Sequence, residues 1–529
     1  MTRGRLVVHA HFYQPTRIDP FTGEVPPDPA AAPYRDWNER ITAECYRPNA
    51  ASGALAHASW DLGPTLSHYL ANEAPEVLAQ FADADGRGGG RAAGPAIAQA
   101  FHHSILPYAP LHDRRTEIRW GLRDFEVRLG RPASAIWFPE MAVDLATLRV
   151  AAEAGVRGTV LAPWQADTPH LEARAYRVEL GQGHHLAVAF YDGDLSASVS
   201  FDASLTSDAE AFAHQRVAPR LGSPLRDGSP PTIVIASDGE LYGHHQRFRD
   251  LFLKALVDPA PGMPDRGFDV VSLASLLEER DGGRHPEIRI RERTSWSCHH
   301  GVLRWGAECP DVHDGRWKAP LRGALDRLAG AIDAVTETFA ADLQGLDDVW
   351  AARDGYVDVV LGLVAPDDYA AACLGPRSGA GDRRRLAAIL EAQRWRLAMF
   401  ASDGWYWDDP TRPETAQSLR AAARAARIVD GLAETRLEAR LVADLSTLRS
   451  PALGIDGSVI YRHALAEVGQ PPPGARGRTR RADRRAVDAV NASGPRRAGG
   501  QSSRTPEGGK GRRPGRSRGD QGRYERQTG

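Results

Sequence analysis

Cysteine is scarce in this chain: four residues, Cys45, Cys298, Cys309 and Cys373, stand at irregular intervals among 529. That spacing excludes the disulfide framework of a small secreted domain. No apolar run is long enough to cross a bilayer, and no hydrophobic signal core stands before Leu6. A reducing, cytoplasmic setting with no membrane partner is therefore expected. Net charge is also nearly missing, at -2, but the balance hides two opposite parts. Residues 471–529 hold 16 basic and 5 acidic residues, a net +11, which leaves -13 on the other 470. An acidic body offers no specific nucleic-acid surface. The basic tail is rich in Pro, Gly, Arg and Ser and almost without apolar residues, so disorder is expected from residue 471.

What the chain does have is ample core: 42% hydrophobic residues and 12 Trp, over a length that implies two or three domains. Short β-branched runs alternate with helical stretches up to Ile290, which favours a parallel β/α barrel or a doubly wound sheet. The clearest run, Thr232 to Ala236, is apolar on both faces, as in a buried parallel strand. Helix-like segments are read at 62–81, 114–129, 321–346, 358–363, 383–400 and 413–448, with a Gly-rich loop at Gly86 to Gly90. The expected division is a barrel over 1–290, a mainly helical domain over 291–470 that closes the cleft, and the tail.

Polar and aromatic groups recur just after the strands, where α/β folds place their chemistry. Glu140 follows Ile136-Trp137-Phe138-Pro139, and Asp238 follows the Thr232 strand. Each has a plain structural reading: Glu140 as the first-turn acid of a helix, Asp238 as a turn or cap residue. Together, two carboxylates past two buried strands match the needs of a retaining glycosidase. His9 and His11 share one face of the first strand and lead to Gln14, while Trp37, the His102-His103 pair and Trp164 follow in later loops. A histidine pair can hold a metal or hydrogen-bond a sugar hydroxyl. No Asp stands beside this pair in sequence to complete a metal set. Tyr242 and His244 follow Asp238, and Asp403 with Trp405 interrupts the helical part as a wall suited to sugar rings. Cys298, His299, His300, Cys309 and His313 fit no standard zinc spacing and read as a packed or substrate-facing loop. No metal and no cofactor are expected.

His9-Ala10-His11-Phe12-Tyr13-Gln14-Pro15, Ile136-Trp137-Phe138-Pro139-Glu140, Ser237-Asp238-Gly239-Glu240-Leu241-Tyr242-Gly243-His244 and Ala401-Ser402-Asp403-Gly404-Trp405 resemble four of the five ordered motifs of glycoside hydrolase family 57. Gly94 to Pro107 is the loose counterpart of the fifth, and the resemblance spans roughly residues 5 to 410. It implies a (β/α)7 barrel followed by a helical domain, and metal-free retaining chemistry on α-glucans. It also implies Glu140 as nucleophile, Asp238 as acid/base, His9 and His11 beside the reacting sugar, and Trp405 as a stacking residue. The region after Arg291 resembles an uncharacterised extension found in one bacterial subgroup. Two other readings stay open: a metal-dependent deacetylase-like barrel, and a glucan-binding or regulatory protein without catalysis. The partner expected in each glucan reading is a carbohydrate. The oligomeric state stays open.

Overall fold

The computed structural model of the chain describes residues 3–88, 94–278 and 285–466. Among the described residues nine strands form: β1 (Gly4–Phe12), β2 (Ser59–Leu62), β3 (Ala96–Gln99), β4 (Ile136–Trp137), β5 (Gly158–Leu161), β6 (Ala175–Gly181), β7 (His184–Phe190), β8 (Thr232–Asp238) and β9 (Phe268–Val270). β1 lies between β2 and β8, and β2, β3 and β4 follow in parallel order. A parallel bridge from Ala135 to Gly158 carries the sheet on to β5, which pairs with β7. The ring closes where the Asp192 N–H donates to the Val234 carbonyl at 2.7 Å, two residues past the end of β7. Seven parallel strands thus make a (β/α)7 barrel, and closure excludes the open doubly wound sheet. β6 is an antiparallel addition to β7, and β9 pairs with the first residues of β1.

The barrel strands are short and buried on both faces, β8 over all six residues from Thr232 to Ser237. That pattern demands a helical coat outside and filled layers inside. The segment read as one helix from 62 to 81 is two, Pro64–Glu73 and Pro75–Gly88, because Pro75 cannot continue the first and starts the second. Gly86 to Gly88 remain helical rather than looped, and the rest of the expected Gly-rich loop lies outside the described residues.

After Ile290 the chain is not yet helical. Residues 291–317 run as turns across the carboxyl ends of the strands, with backbone bonds from Arg291 N–H to the Gln165 carbonyl (2.8 Å) and Trp296 N–H to the Glu140 carbonyl (3.0 Å). Helices then occupy Lys318–Asp342, Val349–Gly355, Val357–Val360, Pro366–Leu374, Ala380–Ala398, Asp403–Tyr406, Pro413–Ala433, Leu437–Leu445 and Gly457–Ala466. The expected helix 413–448 breaks at Glu434, which takes a left-handed φ of +47°. There the Asp430 carboxylate caps the next helix at the Leu437 and Glu438 amides. The helical core takes in Phe101, Ile105, Trp120 and Ala142 from the barrel side. A buried ion network ties the same seam: Asp113 accepts from Arg353 at 2.8 Å and from Arg396, and Arg396 also reaches Asp333 at 2.6 Å. The disorder expected of the tail falls outside the described residues.

Candidate active site

The site is built from the carboxyl ends of β1, β2, β4 and β8. His9 and His11 project from one face of β1, and on β2 Ser59 stands opposite His9 and Asp61 opposite His11 in register. The Asp61 carboxylate bonds both rings, Oδ1 to His9 Nε2 and Oδ2 to His11 Nδ1, each at 2.9 Å. The expectation that no Asp accompanies this pair is therefore corrected. Asp61 is fully buried and spends both oxygens on the imidazoles, while His9 Nδ1 meets Ser59 Oγ at 3.2 Å. Burial drives His9 toward the neutral ring, whereas for His11 the charges of Asp61, Asp238 and Glu240 outweigh burial and raise its pKa.

Trp137, at the end of β4, stacks on both rings, with centroids 5.1 Å from His9 and 4.4 Å from His11. The aromatic surface continues through His103, 5.7 Å from His11, to Tyr13, 3.7 Å from His103. On the other side Trp296 meets Trp137 edge-on at 5.0 Å, and Tyr191 and Trp164 follow it. Trp164 is fixed by its indole N–H to the Ser295 carbonyl at 2.8 Å.

Glu140 sits where β4 turns sharply outward. Its φ of +56° and that of Met141, +47°, lie in the left-handed region, a strained geometry that costs about 1–3 kcal/mol per residue. The pay-off is orientation: Glu140 Oε2 accepts from Trp296 Nε1 at 3.0 Å and from Ser297 Oγ. Both donors belong to the 291–317 segment. Asp238 ends β8 directly across from His11 in the β1 register. The next residue must be small, since a Cβ on Gly239 would lie 2.3 Å from the Phe12 ring. Glu240 then turns inward and accepts from the Tyr13 amide at 3.1 Å and the Tyr46 hydroxyl at 2.6 Å. Burial, reinforced by the Asp238 charge, pushes Glu240 up to about 7. Asp403, from the helical part, accepts the Tyr13 hydroxyl at 2.5 Å. Burial and the Glu414 and Glu140 charges push it to about 7 as well.

The sequence profile of glycosyl hydrolase family 57 matches residues 50–267, and that of a domain of unknown function (DUF3536) matches residues 314–468. The first segment therefore resembles family 57 in sequence. No curated protein matches the chain significantly. Among solved structures, an exo-type maltose-forming amylase from Pyrococcus sp. ST04 shares 13% identity at a TM-score of 0.69, covering 92% of this chain and 94% of its own. A family 57 branching enzyme from Thermococcus kodakaraensis shares 15% identity at a TM-score of 0.54, covering 83% and 94%. A 4-α-glucanotransferase from Thermococcus litoralis shares 14% at 0.52, covering 81% of this chain and 60% of that one. At these identities the likeness shows the fold.

The barrel gathers His9, His11, His103, Trp137, Glu140 and Asp238 around one aromatic wall, with Trp164 at its far end and Asp403 added from the helical part. Other expected site residues lie elsewhere. His102 turns away and bonds Glu117 at 2.9 Å within the helix layer. Gln14 is buried in the loop after β1, its side chain taken by Arg17 at 3.3 Å. Trp37 and His244 form a separate group, ring to ring at 6.2 Å, with His244 held by Glu44 at 2.6 Å. Tyr242 does not line a cleft: its ring is fully buried, Ser237 donates to its hydroxyl at 3.0 Å, and burial pushes its phenol up to about 12. Trp405 is likewise fully buried, stacked on Phe400 at 6.2 Å under the Arg322 guanidinium. What its helix delivers to the site is Asp403. Asp61, Tyr13, Trp296 and Ser297 were not singled out by sequence reasoning.

Proposed function

We propose that this chain is a retaining glycoside hydrolase or transglycosylase acting on α-glucans, with Glu140 as nucleophile and Asp238 as acid/base. The observation that carries this reading is the seat of Glu140: a strained strand exit whose carboxylate is held on one oxygen by Trp296 and Ser297. With Oε2 fixed by two donors, Oε1 is the atom that attacks the anomeric carbon and forms the glycosyl-enzyme. Asp238, at the carboxyl end of β8 beside β1, protonates the departing glycosidic oxygen. It then takes the proton from the acceptor, water for hydrolysis or a sugar hydroxyl for transfer, as the acceptor attacks the glycosyl-enzyme. The His9–Asp61–His11 set and the stacked Trp137 give a rigid floor of donors and ring faces for the sugar at the reacting position.

Wild type, Glu140→Gln and Asp238→Asn are incubated with maltooligosaccharides and glycogen, and products are separated by chromatography, with the first-formed anomer read by NMR. Shortened or redistributed chains of retained α configuration are expected from wild type. Asp238→Asn is expected to lose about 10²–10⁴ in rate, and Glu140→Gln to fall to background. Inverted product, or activity surviving in both variants, overturns the carboxylate assignment. Binding of glucan without any turnover favours the glucan-binding alternative.

A further inference from the structure

The segment that supplies Trp296 and Ser297 holds a second cluster immediately beyond them. Cys298, His300, Cys309 and Asp311 each turn one ligand atom toward a common point, all four atoms lying within 4.8 Å of one another. The two sulfurs are 3.4 Å apart, Cys298 Sγ is 3.3 Å from Asp311 Oδ2, His300 Nδ1 is 3.1 Å from the same oxygen, and Cys309 Sγ is 3.9 Å from His300 Nδ1. Around a tetrahedral zinc with the usual bond lengths these edges would be about 3.8 Å for sulfur to sulfur and about 3.4–3.6 Å for the others. Four of the six edges lie within a few tenths of an ångström of those lengths, and none exceeds 4.8 Å.

We propose that Cys298, His300, Cys309 and Asp311 form a structural zinc site that fixes the loop addressing Glu140. The donor set is specific. Two thiolates exclude the hard ions Ca²⁺ and Mg²⁺, and imidazole with one carboxylate completes a set suited to Zn²⁺. Binding releases the two thiol protons. The thiols are buried while His300 and Asp311 stand at the surface, which leaves an entry path from solvent. The scaffold is built for a tight approach. Gly301 takes a φ of +72°, and a Cβ there would lie 2.3 Å from the Arg293 carbonyl oxygen. Ser295 Oγ bonds the Cys298 and Gly301 carbonyls at 3.3 and 2.9 Å, binding the first ligand turn to the residue before Trp296. Sequence spacing hid the site because the fourth ligand is Asp311 rather than a histidine. His299 lies instead against Trp164 at 4.8 Å, and His313 is not part of the set.

The test is metal content. The full chain, expressed with zinc and purified without chelator, is analysed by elemental mass spectrometry, and Co²⁺ exchanged into it is read by visible absorption. One zinc per chain is expected, with a thiolate-to-Co²⁺ charge-transfer band and intense tetrahedral ligand-field bands. His300→Ala and Asp311→Ala, both at the surface, are expected to fold with unchanged circular dichroism yet retain less than about a tenth of the zinc after dialysis against a chelator. His313→Ala is expected to keep it. Zinc retained undiminished in Cys298→Ser, or a wild-type protein that takes up neither Zn²⁺ nor Co²⁺, overturns the site. A wild-type mass two hydrogens light, with Cys298 and Cys309 joined, overturns it in favour of a disulfide. These readouts do not depend on glycosidase activity, so they stand or fall apart from the role proposed for Glu140. The coupling to that role is read separately, as loss of turnover on zinc removal that returns with Zn²⁺.

Discussion

At the scale of single residues, the two donors to Glu140 offer the sharpest test of the site. Trp296→Phe keeps the ring edge against Trp137 and removes only the N–H. A hydrogen bond to a charged group contributes about 1.5–3 kcal/mol, so kcat/KM is expected to fall about 10–100-fold. Ser297→Ala is expected to act in the same range, with kcat losing more than KM changes. Glu240 gives a pH test. Its folded pKa of about 7 lies above the unfolded value, so the native state binds the proton more tightly between the two. Stability from this group is therefore present at low pH and declines as pH rises from about 4.3 toward 7, by at most about 1.4 kcal/mol per unit. Glu240→Gln is expected to flatten that decline, measured as Tm against pH relative to wild type.

Residue by residue, the sequence showed the groups whose chemistry is announced by a strand before them. His9, His11, Glu140 and Asp238 all sit just inside or just past a β-branched or aromatic run. Asp61 escaped because β2 is only four residues long and lacks the β-branched signature, so it reads as the lead-in to a helix. Trp296 and Ser297 escaped for another reason. They act on a residue 156 and 157 positions earlier, a pairing no local pattern encodes. Tyr242 and Trp405 show the reverse error: an aromatic beside a motif was read as exposed, and packing claimed it.

Among the elements, the helix Leu111–Leu129 does more than coat the barrel. Its Asp113 is the shared acceptor for Arg353 and Arg396, two guanidiniums that the helical part brings into the seam. Asp113→Ala leaves the buried Arg353 without its carboxylate and Arg396 with Asp333 alone, and is expected to cost about 3–5 kcal/mol, read by chemical denaturation. Pro75 and Glu434 mark where helices stop, and only the proline could be seen as a stop in advance. Glutamate in a left-handed conformation has no compositional signal, and the break at 434 follows from the Asp430 cap of the helix beyond it.

Across the whole molecule, the hydrophobic core runs from Leu6 to Leu465 in the described residues. A chain ending at residue 473 is accordingly expected to keep the Tm and turnover of the full chain, checked by calorimetry and the glucan assay. A chain ending at residue 290 is a different object. The family 57 match stops at residue 267, yet Glu140 is oriented by Trp296 and Ser297, and Tyr13 is met by Asp403. Anyone recombining this protein with its relatives at the apparent barrel boundary would cut through the candidate site rather than beside it. Chimaeras joined there inherit the proposed nucleophile from one parent and its holders from another; a crossover after residue 311 keeps Trp296, Ser297, Cys298 and Cys309 with the barrel but still draws Asp403, the partner of Tyr13, from the second parent.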